Sequence, residues 1–238
     1  MDLTEQELRN KEAFSRKEAV EQYSRFYLFP VEERIFNAHF EVPGRVLDIG
    51  CGCGRTSLFL KRMGHSVTGI DLVPEMIEEA RRMVEDVDFI VMDACELLFP
   101  SESFDYVFFS FNGIDCIYPE SKRALCLREM HRVLKPMRPL AFSAHNAASL
   151  RSLFPSNRFR LVNWGMNIAK GRLFSRYRLE KHPSGVLEIY VTTPFRQKRE
   201  LERTGFEHVQ VYGQSSDRLL STHLMDTWSY YVCLKARR

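Results

Sequence analysis

Hydrophobic and polar positions change texture near residue 44. Residues 1–40 carry mixed charges with apolar side chains at helical spacing. Phe26, Phe29, Ile35 and Phe36 fall on one side of a broken helical segment, with Pro30 expected at the break. A second rhythm follows. Short apolar runs at 45–49, 66–70, 87–92, 104–110 and 140–144 read as strands. Between them, apolar residues recur at helical offsets: Ile77, Ala80 and Val84, then Ala124, Leu127, Met130 and Leu134. Residues 55–63 form a further helix that Gly64 stops, and Pro74 suits a first helical position. The runs lack clean two-residue alternation, as strands covered on both faces do. Strand and helix alternating about every 20 residues predict an open α/β sheet.

After Asn146 the rhythm fails for about 45 residues. This stretch mixes arginines with Phe154, Phe159, Trp164, Phe174 and Tyr177 and shows no regular element. Thr193-Pro194 then starts a helix that Gly205 ends, and 207–212 and 229–234 read as two closing strands. Four segments result: a helical cover (1–40), a core (41–146), an insertion (147–193), and a closing helix with the last two strands (194–238).

Composition narrows the class. The 238 residues are 45% hydrophobic and 27% charged, which suits a soluble globular chain with a sizeable core and excludes disordered, collagen-like and coiled-coil readings. No apolar run approaches the roughly 18 residues of a membrane span, and the polar N-terminus has no secretory pattern. A cytoplasmic protein with no membrane partner is therefore expected. Its six irregularly placed cysteines are expected as reduced thiols, and no Cys/His spacing suggests a metal. The net charge of +3 is unevenly spread. Residues 147–203 hold 12 Lys/Arg against 4 Asp/Glu, leaving the rest of the chain at −5.

The chemistry-bearing stretch is Asp48-Ile49-Gly50-Cys51-Gly52-Cys53-Gly54, between a strand and a helix. Glycines there let the backbone turn sharply and a ligand come close, while the helix start offers free N–H groups. Two acids end the following strands: Asp71, 23 residues after Asp48, and Asp93. In nucleotide-binding α/β folds an acid at about that distance accepts hydrogen bonds from ribose hydroxyls. Arg55 stands where the third glycine of a dinucleotide-binding G-x-G-x-x-G loop would fall, which disfavours a nicotinamide dehydrogenase.

These residues resemble the class I S-adenosylmethionine-dependent methyltransferases, whose first motif, D-x-G-x-G-x-G, is matched in full. Gly69-Ile70-Asp71-Leu72, Met92-Asp93-Ala94, Phe104-Asp105-Tyr106-Val107 and 128–136 extend the resemblance, which covers about residues 44–145 and the closing elements. Met137-Arg138-Pro139 departs from the pair of glycines common there. The resemblance implies a Rossmann-like, mostly parallel seven-stranded sheet with helices on both faces and an inserted lid before the last helix. It implies S-adenosylmethionine as cofactor. Asp48 and the loop of Gly50, Cys51, Gly52 and Gly54 would hold its methionine end. Asp71 would hold the ribose, Leu72 would pack on the adenine, Asp93 and Ala94 would read the adenine edge, and Ser110 would line the floor.

Such transfer needs an aligned acceptor and excluded water, with a general base optional. His145, at the end of the fifth strand, is the candidate base; Asp115 and Tyr118 are weaker ones, and Tyr23 and Tyr27 could close over the cofactor. The expected acceptor is a small anionic or aromatic molecule under the basic insertion. RNA binding and a cofactor-binding regulator without catalysis are the alternatives, RNA being disfavoured because no recognised RNA-binding module accompanies the insertion.

Overall fold

The structure, a computed structural model, describes residues 3–153, 158–214 and 224–237. Five strands run parallel: β1 (Arg45–Ile49), β2 (Ser66–Asp71), β3 (Asp88–Val91), β4 (Tyr106–Phe109) and β5 (Pro139–His145). β8 (Phe206–Tyr212) and β9 (Trp228–Lys235) complete the sheet in the order β3-β2-β1-β4-β5-β9-β8, with β9 antiparallel to both of its neighbours. The chain thus forms the expected mostly parallel seven-stranded α/β sheet. Strand order reverses between β1 and β4, and open α/β sheets bind ligands at such a point.

Side chains alternate between two layers. Leu47, Ile49, Val107, Phe109 and Phe142 join the layer of α6 (Glu120–Val133) and α9 (Pro194–Thr204). Val46, Phe108, Tyr230 and Val232 join that of α3 (Pro30–His39) and α4 (Arg55–Arg62). α5 (Pro74–Met83) seats Ile77 and Ala80 on Phe89 of β3. α9 has the ends its sequence suggests. The Thr193 side chain accepts from the Arg196 N–H at 3.3 Å, and Gly205 closes the helix at φ 101°.

Two regions differ from expectation. Pro30 opens α3 as its first residue rather than ending a helix, because its fixed φ suits a helix start. The interruption lies before it, after α1 (Glu5–Ser15) and α2 (Lys17–Tyr23). The insertion is not irregular either. It contains α7 (Leu150–Leu153), α8 (Arg158–Ala169) and an antiparallel hairpin of β6 (Tyr177–His182) and β7 (Gly185–Tyr190), which form a separate two-stranded sheet. Most of β6 is only half-buried and its polar residues sit on both faces, which hid the strand period. Phe154 lies outside the described residues.

A buried ion pair joins the cover to the core. Arg55, opening α4, meets Glu32 of α3 through two hydrogen bonds of 2.6 and 2.7 Å. Arg55 also donates to the Tyr27 carbonyl at 2.7 Å and to Ser110 Oγ at 2.9 Å, and its guanidinium stacks 4.6 Å from the Phe111 ring centre. Ser110 and Tyr230 both donate to Glu32 at 2.5 Å. Burial opposes the Glu32 charge, but Arg55 and the two hydroxyls outweigh it and hold the carboxyl below its ordinary range.

Removing one member should strand the other charge in the core. Glu32→Gln or Arg55→Met is expected to cost about 3–5 kcal/mol in urea unfolding, and the double variant less than the sum of the two. Losses under about 1 kcal/mol for both single variants would show that water reaches the pair.

Candidate cofactor and acceptor site

A pocket opens above the C-terminal ends of β1, β2 and β4. Its floor is the loop after β1. Gly50 sits at φ 58°, and a Cβ there would lie 2.6 Å from Phe109 Cε2, so a side chain is excluded by conformation and by contact. A Cβ on Gly52 would meet only Tyr23 Cβ, at 4.0 Å, and would project into open pocket space. The Cys51 N–H donates to the Ile70 carbonyl at 3.0 Å, which ties the loop to β2.

Asp71, ending β2, holds this loop and faces the pocket. Its Oδ2 accepts the Gly52 N–H at 2.9 Å and its Oδ1 the Val73 N–H at 3.0 Å. Burial pushes its pKa above the ordinary carboxylate value, against those N–H groups. Each oxygen retains acceptor capacity for a ligand hydroxyl. Leu72, Met92 and Ala94 form an apolar stretch of wall, with Asp93 beside it. Asp93 accepts the Cys95 N–H at 2.8 Å and lies 3.4 Å from Lys122 Nζ. Lys122 also reaches Glu7 of α1 at 3.1 Å, a link with no sequence motif.

Gly50, Cys51, Gly52, Asp71, Leu72, Asp93, Ala94 and Ser110 therefore meet at one pocket. Asp48 and Gly54 do not line it. Asp48 is fully buried behind the loop, where its Oδ2 accepts from Thr56 Oγ1 at 2.7 Å and Ser57 Oγ at 2.6 Å. Burial raises its pKa to about 6. Through these two bonds it anchors the start of α4. Gly54 is the N-cap of α4 at φ 85°, and a Cβ there would lie 2.9 Å from Phe89 Cζ, so this glycine serves helix–strand packing. Ser110 lines the pocket, but its hydroxyl is engaged with Arg55, Glu32 and Tyr230.

The N-terminal helices cover the opening, and the hairpin is fastened to them. Asn10 of α1 exchanges two hydrogen bonds with the backbone of Glu188 in β7, at 2.9 and 3.1 Å. Arg16 donates to the Ser184 carbonyl in the hairpin turn at 2.7 Å. Phe14, Tyr23, Tyr27 and Phe111 make the upper wall aromatic, and Tyr23 stacks on His182 of β6. Burial pushes the Tyr23 pKa well above its ordinary value, so the phenol stays protonated at neutral pH. Two arginines of the insertion are engaged in ion pairs: Arg172 with Glu188 and Arg176 with Glu120, both at 2.5 Å.

His145 lies beside this pocket and not in its wall. Its Nδ1 is 2.9 Å from Asp115 Oδ2, and its Nε2 is 3.3 Å from Glu180 Oε2 of β6. Burial opposes its charge, but the two carboxylates outweigh burial and push its pKa to about 10. At neutral pH it is an imidazolium donating from both nitrogens, with no lone pair to accept a proton. Among the described residues, no group of three or more His, Cys, Asp or Glu could hold a metal ion, and no helix is long and apolar enough to cross a membrane.

Residues 46–137 match the family model of a methyltransferase domain. The chain carries a methyltransferase domain over those residues. It is 31% identical over 119 residues to a putative methyltransferase, YqeM, of Bacillus subtilis, covering 49% of this chain and 48% of that one. It is 35% identical over 132 residues to a ubiquinone/menaquinone biosynthesis C-methyltransferase of a Ruegeria species, covering 50% and 51%. The chain thus spans about half the length of the curated relatives it matches. Its fold is similar to that of a Methanosarcina mazei S-adenosylmethionine-dependent methyltransferase, with TM-score 0.63 and 23% identity over 89% of this chain and 99% of that one. It is also similar to a Burkholderia thailandensis 1,6-didemethyltoxoflavin-N1-methyltransferase bound to S-adenosylhomocysteine, with TM-score 0.63 and 19% identity over 100% and 93%.

The residues present fit S-adenosylmethionine. The side-chain-free face of Gly52 leaves room that a Cβ would fill, Asp71 presents acceptor oxygens beside it, and the wall next to them is apolar.

The His145 imidazolium links stability to pH. Its folded pKa of about 10 lies above the ordinary value of 6.5. Its contribution is fully present below pH 6.5 and is lost as pH rises through about 10. The stability advantage of the parent over His145→Gln in urea unfolding should shrink steadily across that window. A gap that stays constant would mean that His145 is not held charged.

Proposed function

We propose that this chain transfers the methyl group of S-adenosylmethionine to a small-molecule acceptor with an apolar or aromatic body. The enclosure of the pocket carries the proposal: α1, α2 and the segment after them roof the glycine loop with aromatic side chains, and His182 of the β6–β7 hairpin packs behind Phe14 and Tyr23. On this reading residues 147–193 act as a lid over the acceptor. The cofactor, when bound, supplies a methyl group already activated by its sulfonium.

The protein's part is binding, alignment and exclusion of water. Asp71 would accept from the ribose hydroxyls, Asp93 and the Ala94 backbone would face the adenine edge, and the Gly50–Gly52 backbone would take the methionine end. Phe14, Tyr23 and Phe111 would hold the acceptor's body. The protonated Tyr23 phenol can donate a hydrogen bond but cannot take a proton at neutral pH, and His145 is charged. With neither of these two groups able to take a proton, the reading favours an acceptor that arrives nucleophilic, as an amine with a free lone pair or an already ionised oxygen or carbon acid. His145 acts as a positioning residue between the Asp115 loop and β6.

Asp71→Ala should weaken S-adenosylmethionine binding about 10- to 150-fold by calorimetry, the equivalent of about 1.5–3 kcal/mol for a charged hydrogen bond. Affinity within twofold of the parent would remove the ribose assignment. Incubation with metabolite extracts should yield S-adenosylhomocysteine and a methylated small molecule by mass spectrometry. Cofactor binding with no methylated product from any pool would favour a regulatory protein.

A further inference from the structure

Helix α8 is fastened along one side and, among the described residues, exposes large apolar side chains along another. Asn163 and Asn167, one turn apart, hold it to the edge of β6. Asn163 Oδ1 accepts the Lys181 N–H at 2.9 Å, Asn167 Oδ1 accepts the Leu179 N–H at 2.9 Å, and Asn167 Nδ2 donates to the Leu179 carbonyl at 2.8 Å. Leu161, Trp164 and Ile168 recur at i, i+3 and i+7, which groups them in one stripe roughly 110° round the helix from the two asparagines. They are 52%, 37% and 46% exposed, and Phe174, just beyond the helix, is 85% exposed. A soluble surface rarely groups large apolar side chains in this way without a partner.

Charge identifies the partner's chemistry. From residue 147 to 179 the chain has seven arginines and lysines, of which Arg172 and Arg176 are paired with Glu188 and Glu120, and no aspartate or glutamate. Arg158 and Lys170 stand exposed at the two ends of α8. Cations flanking a stripe of Trp, Leu and Ile suit an anionic surface whose interior is apolar. With 12 residues, α8 is about 18 Å long, too short to cross a bilayer but sufficient to lie in its headgroup region.

We propose that α8 is an interfacial helix that docks this protein on an anionic lipid surface, with Leu161, Trp164 and Ile168 entering the acyl boundary and Arg158 and Lys170 meeting the headgroups. Helix α8 belongs to the segment proposed as a lid, but none of its described residues lines the pocket, so vesicle binding and S-adenosylmethionine affinity are separate readouts.

The test is co-sedimentation of the whole chain with phosphatidylcholine vesicles, with and without about 30 mol% phosphatidylglycerol. Binding is expected to the anionic vesicles only, and to weaken at least tenfold in about 0.5 M salt. Trp164→Gln with Ile168→Gln should lower vesicle affinity at least tenfold, and Trp164→Phe should retain most of it. Calorimetric affinity for S-adenosylmethionine, unchanged in each variant, shows that the fold is intact. Three outcomes would overturn the proposal: no binding to anionic vesicles, equal binding by the Gln double variant, or sedimentation showing an oligomer of this chain that the same variant dissociates. Tight binding of single-stranded RNA in place of vesicles would also overturn it.

Discussion

The Arg55–Glu32 pair is the interaction on which the rest of the site depends. A buried cation at the first turn of α4 is a liability unless a carboxylate meets it, and Glu32 comes from a different part of the chain. Meeting it draws α3 against β4 and β9 through Ser110 and Tyr230. The same guanidinium holds the Tyr27 carbonyl and stacks on Phe111. The N-terminal cover is thereby placed over the glycine loop, and the aromatic wall of the pocket is assembled around one charge.

Two carboxylates near that loop have separate tasks because of where their strands end. Asp48 lies within β1 and is spent internally on Thr56 and Ser57. Asp71 is the last residue of β2, two residues beyond Gly69, which pairs with Asp48, and both braces the loop and faces the ligand space. Their burial raises both pKa values, which makes accepted hydrogen bonds necessary for either to remain ionised.

The roof is a second assembly with its own polar fastening. Asn10 and Arg16 bind hairpin backbone, Lys122 ties Glu7 to the side of Asp93, and His145 joins the Asp115 loop to Glu180. Most of these contacts run between residues more than a hundred positions apart. They suit a cover whose position matters more than its bulk, since polar contacts fix register where apolar contacts tolerate sliding.

By itself the sequence determined the parallel sheet, the glycine loop, the acids at the strand ends and the ends of α9. Each follows from local physics: apolar runs buried on both faces, glycines at positive φ, a Thr-Pro start and a Gly stop. Tertiary structure alone decided which motif residues reach the pocket. Asp48 and Gly54 match the motif as well as Gly52 does, yet pleat and packing turn them inward. It also decided the character of His145, since pKa is set by neighbours and those neighbours, Asp115 and Glu180, come from distant elements. The hairpin in the insertion was illegible for a similar reason. β7 buries Leu187 and Ile189 against Ala13 of α1, but its partner β6 is mostly half-buried with polar residues on both faces, so only one strand of the pair carries a period of two.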